Sequence, residues 1–266
     1  MDLGLTNKVA IVTGGSRGIG KAVVLQLARE GVDVAIAARD MAAANSAAVA
    51  IGNETGRKVR AYKVDTGDDG AVRAMVSAVA ADFGRIDILV NNAAQPGGQT
   101  KPPALSEVTN EAFFADMNVK VLGYLRCARE VVPHMKKQGA GRIINISGIA
   151  ARSTGSIIGS VRNIGVAALS KNLADELAPF AITVNCIHPM LTRTEKVDEI
   201  VARNAKEQGI SIEEADRGMA ASSLAGRLIT AEEVADVVLF LASPRSVAVN
   251  GDSIATGGGS KGTIYY

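Results

Sequence analysis

The stretch Val9-Ala10-Ile11-Val12-Thr13-Gly14-Gly15-Ser16-Arg17-Gly18-Ile19-Gly20 decides the fold, and Lys21 to Glu30 behind it has the composition of a helix. A short apolar run, a glycine turn and a helix start give the order strand, turn, helix. Gly14, Gly18 and Gly20 lack side chains where a pyrophosphate would approach the backbone, and the free N–H groups of the helix start would face it. Ser16, Arg17 and Ile19 complete this anion cradle. Similar turns also arise for packing reasons, so the stretch takes its meaning from the rest of the chain.

Working outward, Asp33 to Ala38 is a second apolar run, followed by the alanine-rich Met41 to Ile51, whose composition favours helix. Val59 to Val64 reads as the third strand, bounded by Asp65-Thr66-Gly67. Asp68 can cap a helix in which Val72, Met75, Val76 and Val79 follow helical spacing as far as Phe83. Ile86 to Val90 is the fourth strand and runs into Asn91-Asn92-Ala93-Ala94. A Gly- and Pro-rich loop, Gln95 to Pro103, precedes a long helical stretch from about Glu107 to Lys137, open to a break near its start. Arg142 to Ile146 is strand five, Ser160 to Leu177 a helix, and Ile182 to Ile187 strand six. Leu191 to Leu228 is mixed and polar, the longest stretch without a strand, Ala231 to Leu241 is helical, and a last strand lies near Asp252 to Ala255. Strands alternating with helices predict one α/β domain over 1–266, a doubly wound parallel sheet with ligands at the carboxyl ends of its strands.

Composition narrows the function. The 29 basic and 27 acidic residues are spread along the chain for a net charge of +2, and aromatics are 3% with no Trp. That gives neither a basic stripe nor stacking platforms for nucleic acid. Cys127 and Cys186 sit in apolar patterns without metal-ligand spacing, which predicts buried free thiols and a reducing compartment. The start, Met1 to Leu5, has no basic-then-apolar signal, and no apolar run approaches bilayer length. The expectation is a cytoplasmic chain without a membrane partner.

These residues resemble the short-chain dehydrogenase/reductase family over nearly the whole chain. The marks are Thr13 to Gly20, Asp65, Asn91-Asn92-Ala93, Val184-Asn185 with Pro189 and Thr194, and Phe240-Leu241-Ala242-Ser243. The resemblance implies a seven-stranded Rossmann-type domain that binds NAD or NADP. Asp65 would contact the adenine, Asn91 and its neighbours, Ala93 among them, would hold the loop beside the cofactor, Thr194 would sit near the nicotinamide amide, and Pro189 and Thr192 are further cofactor-binding candidates. Arg39 and Arg17 could clamp a 2′-phosphate where a 2′-OH binder carries an acid, which favours NADP over NAD. The alternatives are that Asp40 turns inward toward the ribose hydroxyls, or that both arginines face solvent. The family's assembly habit implies a homodimer or homotetramer through the long helices.

The sequence also departs from the family pattern. A Tyr-x-x-x-Lys pair, in which the cation makes the phenol a usable acid or base, is absent before Leu169-Ser170-Lys171-Asn172. Anchored on Lys171, the tyrosine position is Gly159 and the lysine position Asn163. Gly148 takes the serine position with Ser147 adjacent, and Lys120 stands where the family has its Asn, with Asn118 two residues early. Lys120 and Asn163 would then have traded places across one pocket, and Lys120, Ser147 and Asn163 are the candidate catalytic residues. The competing reading sends Lys120 to solvent. Tyr124 is expected to pack, and His188 and His134 to be structural. Ala94 and Met190 stand where the family has Gly.

Two functions are therefore expected. One is an NADP(H)-dependent oxidoreductase with an altered tetrad, acting on a small carbonyl, alcohol or enone. The other is a catalytically silent cofactor-binding subunit that assembles with itself or with an active relative. Leu191 to Leu228 would cover the cleft as a lid.

Overall fold

Strand β1 (Val9–Thr13) is buried along its whole length because it takes the middle of the sheet. Its side chains alternate: Ala10 and Val12 enter one core layer and Ile11 the other. The computed structural model describes residues 2–94 and 102–260. Most of the Gln95 to Pro103 loop and the tail beyond Ser260 lie outside the described residues.

The chain continues through α1 (Gly18–Arg29), β2 (Asp33–Ala38), α2 (Met41–Thr55), β3 (Val59–Lys63), α3 (Asp69–Phe83) and β4 (Ile88–Asn91). Then follow α4 (Asn110–Met117), α5 (Gly123–Gln138), β5 (Gly141–Ile146), α6 (Ile157–Leu177) and β6 (Ile182–His188). The last elements are β7 (Thr192–Arg193), α7 (Glu195–Gln208), α8 (Ile212–Ala220), β8 (Ile229–Thr230), α9 (Ala231–Ala242) and β9 (Ser253–Ala255). Local signals start these helices where the sequence places them. Asp68 accepts from Ala71 N at 2.7 Å to open α3, and Thr230 with Glu233 forms a reciprocal cap on α9.

Seven parallel strands run in the order β3-β2-β1-β4-β5-β6-β9, with α1, α2 and α9 covering one face and α3, α5 and α6 the other. This is the single-domain Rossmann-type architecture that the strand and helix alternation implies. The order reverses between β1 and β4, which opens a crevice at their carboxyl ends.

Two expectations are corrected and one is refined. The stretch Glu107 to Lys137 has its break near the start, between a 3-10 turn (Leu105–Glu107) and α4, and a π-helical turn (Asn118–Leu122) then joins α4 to α5. The π turn is a matter of backbone phase that composition does not signal. Helix α6 begins at Ile157, three residues before the expected Ser160, because Ser156 caps it by accepting from Gly159 N at 3.1 Å. Leu191 to Leu228, expected to be without a strand, contains β7 and two helices with a small core of their own, including Val197, Val201, Ala215 and Leu228. Arg193 fastens that unit by pairing with Asp198 at 2.6 Å and with Asp216.

Candidate active site

The glycine turn is tied to the end of β4 by two side chains. Thr13 Oγ1 accepts from Asn92 N at 2.9 Å and from Ala93 N at 3.0 Å, and Asn92 Nδ2 donates to Thr13 O and Gly14 O, both at 3.1 Å. The loop is packed so closely that a Cβ on Gly20 would lie 2.2 Å from Gly14 O, and Gly14 itself sits at φ +66°. Arg17 occupies the N-cap of α1 without a side-chain cap, and no acid stands in the first turn. The first N–H groups of α1, beside Ser16, Gly18 and Ile19, therefore keep their capacity for an anion.

The other cofactor candidates border this crevice. A Cβ on Gly18 would lie 3.4 Å from Thr194 Cγ2, so the glycine loop meets the segment after β6. Thr192 Oγ1 donates to Met190 O at 3.0 Å, and Pro189 O accepts from Ile149 N at 3.0 Å, which joins the ends of β5 and β6. Asp65 Oδ1 accepts from Gly67 N at 2.9 Å and fixes the turn after β3. Arg39 is exposed at the end of β2. Asp40 does not turn inward as the alternative required: its carboxylate caps α2 by accepting from Ala43 N at 3.1 Å. Asn91, expected with its neighbours to hold the loop, donates from its side chain to Asn145 Oδ1 at 2.9 Å inside the sheet. Of those neighbours, Asn92 is the one whose side chain ties the loop to the glycine turn.

Beyond the switch point, Lys120, Ser147 and Asn163 come together. Lys120 does not reach solvent: it is 4% exposed, and its Nζ donates to Ser147 O at 2.8 Å and to Asn163 Oδ1 at 3.1 Å. Ser147 Oγ donates to Asn163 O at 2.9 Å, so the hydroxyl anchors α6 rather than facing a substrate. Ser147 thus enters the cluster through its carbonyl, and Asn163, 3% exposed, through its amide oxygen. Burial pushes the Lys120 ammonium down to about 7, and the nearby Arg162 guanidinium pushes the same way.

Neighbouring groups are occupied structurally. Tyr124 is fully buried and donates to Ile146 O at 2.9 Å, and burial raises its pKa well above the phenol range. His188 Nδ1 lies 3.1 Å from Gly148 O, and burial lowers the ring to about 4. Ser160 Oγ donates to Ser153 O at 2.9 Å, and Asn118 is held by Gly67 O and Arg126. Among the described residues no cluster of His, Cys, Asp or Glu could hold a metal, and no helix is long and apolar enough to cross a membrane.

Known proteins share this chain's fold and much of its sequence. The family profile described as Enoyl-(Acyl carrier protein) reductase matches residues 14–261. The chain is 36% identical to the short-chain reductase protein NovJ of Streptomyces niveus over 94% of this chain and 93% of that protein. It is 30% identical to the NADPH-dependent reductase BacG of Bacillus subtilis over 98% of this chain and all (100%) of that one. The structure of L-sorbose reductase from Gluconobacter frateurii, complexed with NADPH and L-sorbose, superposes with a TM-score of 0.93 at 31% identity, covering 99% of this chain and 100% of that one. The chain belongs to the short-chain dehydrogenase/reductase family of NAD(P)-dependent oxidoreductases.

Proposed function

We propose that this protein is an NADP(H)-dependent reductase of a small carbonyl or enone compound in which Lys120 takes over the proton-donating role of the missing tyrosine. The observation that carries this reading is the buried amine of Lys120, held by Ser147 O and Asn163 Oδ1 and lowered to about 7. An acid that titrates near neutrality is matched to proton transfer at physiological pH. Two of the three ammonium protons go to these acceptors, which leaves one for the oxygen of a substrate. Asn163 and Ser147 are then positioning residues, and Lys120 is the catalytic one.

The chain's residues fit the cofactor. The uncapped start of α1 and the side-chain-free faces of Gly14, Gly18 and Gly20 accept a pyrophosphate, and Arg39 with Arg17 suits a 2′-phosphate. The NADPH dependence of BacG and the NADPH in the sorbose reductase complex support the same choice. Asp65, Ala93, Pro189, Thr192 and Thr194 would frame the remainder, with Asn92 as the tether and Asn91 held inside the sheet beside it. NADPH supplies a hydride when bound. The protein orients the substrate oxygen, and Lys120 delivers the proton that completes the alcohol, so the ammonium becomes a neutral amine. Reduction therefore needs protonated Lys120 and slows above about pH 7, while oxidation needs the neutral amine and quickens over the same range.

Self-assembly through the long helices is part of this reading. Phe114 is 66% exposed, and Leu122, Leu125, Val161 and Ile164 of the same α4–α5–α6 region are also open to solvent, apolar side chains that a partner copy would cover.

The test is NADPH oxidation across a ketone and enone panel by wild type and Lys120→Met, with NADPH affinity measured in parallel. A large loss of kcat at unchanged NADPH affinity is expected. Unchanged turnover in the variant refutes the role of Lys120. Tight NADPH binding without turnover by wild type would favour the silent, partner-assembling subunit instead.

A further inference from the structure

Arg162 and Asp116 form an ion pair between the two helical stretches that carry Asn163 and Lys120. Arg162 is 8% exposed and precedes Asn163, the amide that accepts from Lys120, on α6. Its Nη1 donates to both oxygens of Asp116, at 2.8 and 2.9 Å, and its buried Nε has no hydrogen-bond partner among the described residues. Asp116 lies on α4, four residues before Lys120 and joined to it through the π-helical turn. One buried guanidinium and one partly buried carboxylate thus stand on the two helical stretches that carry the amine and its amide partner. Burying an arginine with an unsatisfied Nε is costly and is more than anchoring α4 to α6 requires, since an apolar pair would hold two helices as well.

We infer that Arg162 and Asp116 are positioning residues that set the protonation of Lys120, Arg162 favouring the neutral amine and Asp116 opposing it. The inference rests on the reading of Lys120 as the acid, but it concerns a property of the amine that exists without substrate. The other titratable groups facing Lys120 are Cys186 and His188 on β6. Burial holds the Cys186 thiol up at about 11 and the His188 ring down at about 4, so both stay neutral across the range in which Lys120 titrates. That leaves the ion pair as the charged control. Arg162 stands ahead of Asp116 among the influences on Lys120, so the pair acts in net favour of the neutral form.

The experiment follows Lys120 by NMR of protein carrying carbon-13 at the lysine side chains, with Lys120→Met identifying its signal, and records the pH profile of kcat beside it. Arg162→Met is expected to raise the midpoint of Lys120 by about one unit or more, and Asp116→Asn to lower it. Opposite shifts from two partners of one ion pair are not what loss of a structural tether produces. Where either variant fails to fold, the double variant Arg162→Gln with Asp116→Asn keeps a hydrogen-bonded pair without charge, and its midpoint should rise. A depressed midpoint in wild type that none of these variants moves overturns the inference. If the midpoints move as expected while the kcat profile does not follow, the inference stands and the catalytic reading of Lys120 falls.

Discussion

Lys120 should write its burial into the stability of the protein as a dependence on pH. Burial brings its amine down to about 7 in the fold, against 10.5 for a lysine in water. Between those values the unfolded chain binds a proton that the folded chain does not, so stability rises with pH through that window. Below about pH 7 both states carry the charge and the full cost of burying it is present; above about 10.5 neither does and the cost is gone. Within the window the slope is about 1.4 kcal/mol per pH unit, and the limit for the whole shift is about 5 kcal/mol. Lys120→Met keeps the length of the side chain, removes the charge and leaves Ser147 O and Asn163 Oδ1 without their donor, a constant cost of about 1–3 kcal/mol per acceptor. Urea unfolding of wild type and variant from pH 6.5 to 9.5 isolates Lys120, because every other titration is shared. The stability of wild type relative to the variant should climb by about 2–3 kcal/mol between pH 7.5 and 9.5. A difference that stays flat over this range would mean that the amine is not driven toward its neutral form, and the account of the site would fail at its first step.

Further outcomes follow from the cofactor cradle and the helix surface. Gly20→Ala would set a methyl group 2.2 Å from Gly14 O, so the loop must shift, and NADPH affinity by calorimetry should drop at least about tenfold, about 1.4 kcal/mol. Arg39→Ala should weaken NADPH by about ten- to a hundredfold, the scale of one charge-assisted hydrogen bond, and leave NADH unchanged; equal loss for both would exclude a 2′-phosphate contact. Ile164→Asp, placed in the exposed apolar region of α4–α6, should convert the assembled species to monomer in sedimentation, and an unaltered distribution would put the contact elsewhere.

How far the site could be read in advance differs from residue to residue. Lys120 and Asn163 stand 43 positions apart, yet both could be named as candidates because each sits at a fixed offset from motif residues. Their contact follows from two helices packed over one sheet. Ser147 was found as a residue but not as an acceptor, since nothing in a serine's position says whether its hydroxyl or its carbonyl will face a lysine. Arg162 and Asp116 were not found at all. Each stands in a helical pattern beside polar and apolar neighbours, and charged residues in such patterns usually face water.

The sequence by itself determined the alternation of strand and helix, the glycine turn and the caps, because these depend on residues within a few positions of one another. Thr13 to Gly20 and Asp68 each act locally where expected, and Thr230 with Glu233, which the sequence reading did not single out, caps α9 in the same local way. Tertiary structure alone decided which of two adjacent asparagines ties down the loop, how Leu191 to Leu228 folds, and that Lys120 is buried. The π turn between α4 and α5, the close approach of α6 and the end of β5 enclose that amine together, and desolvation is a property of the whole enclosure rather than of any one residue in it.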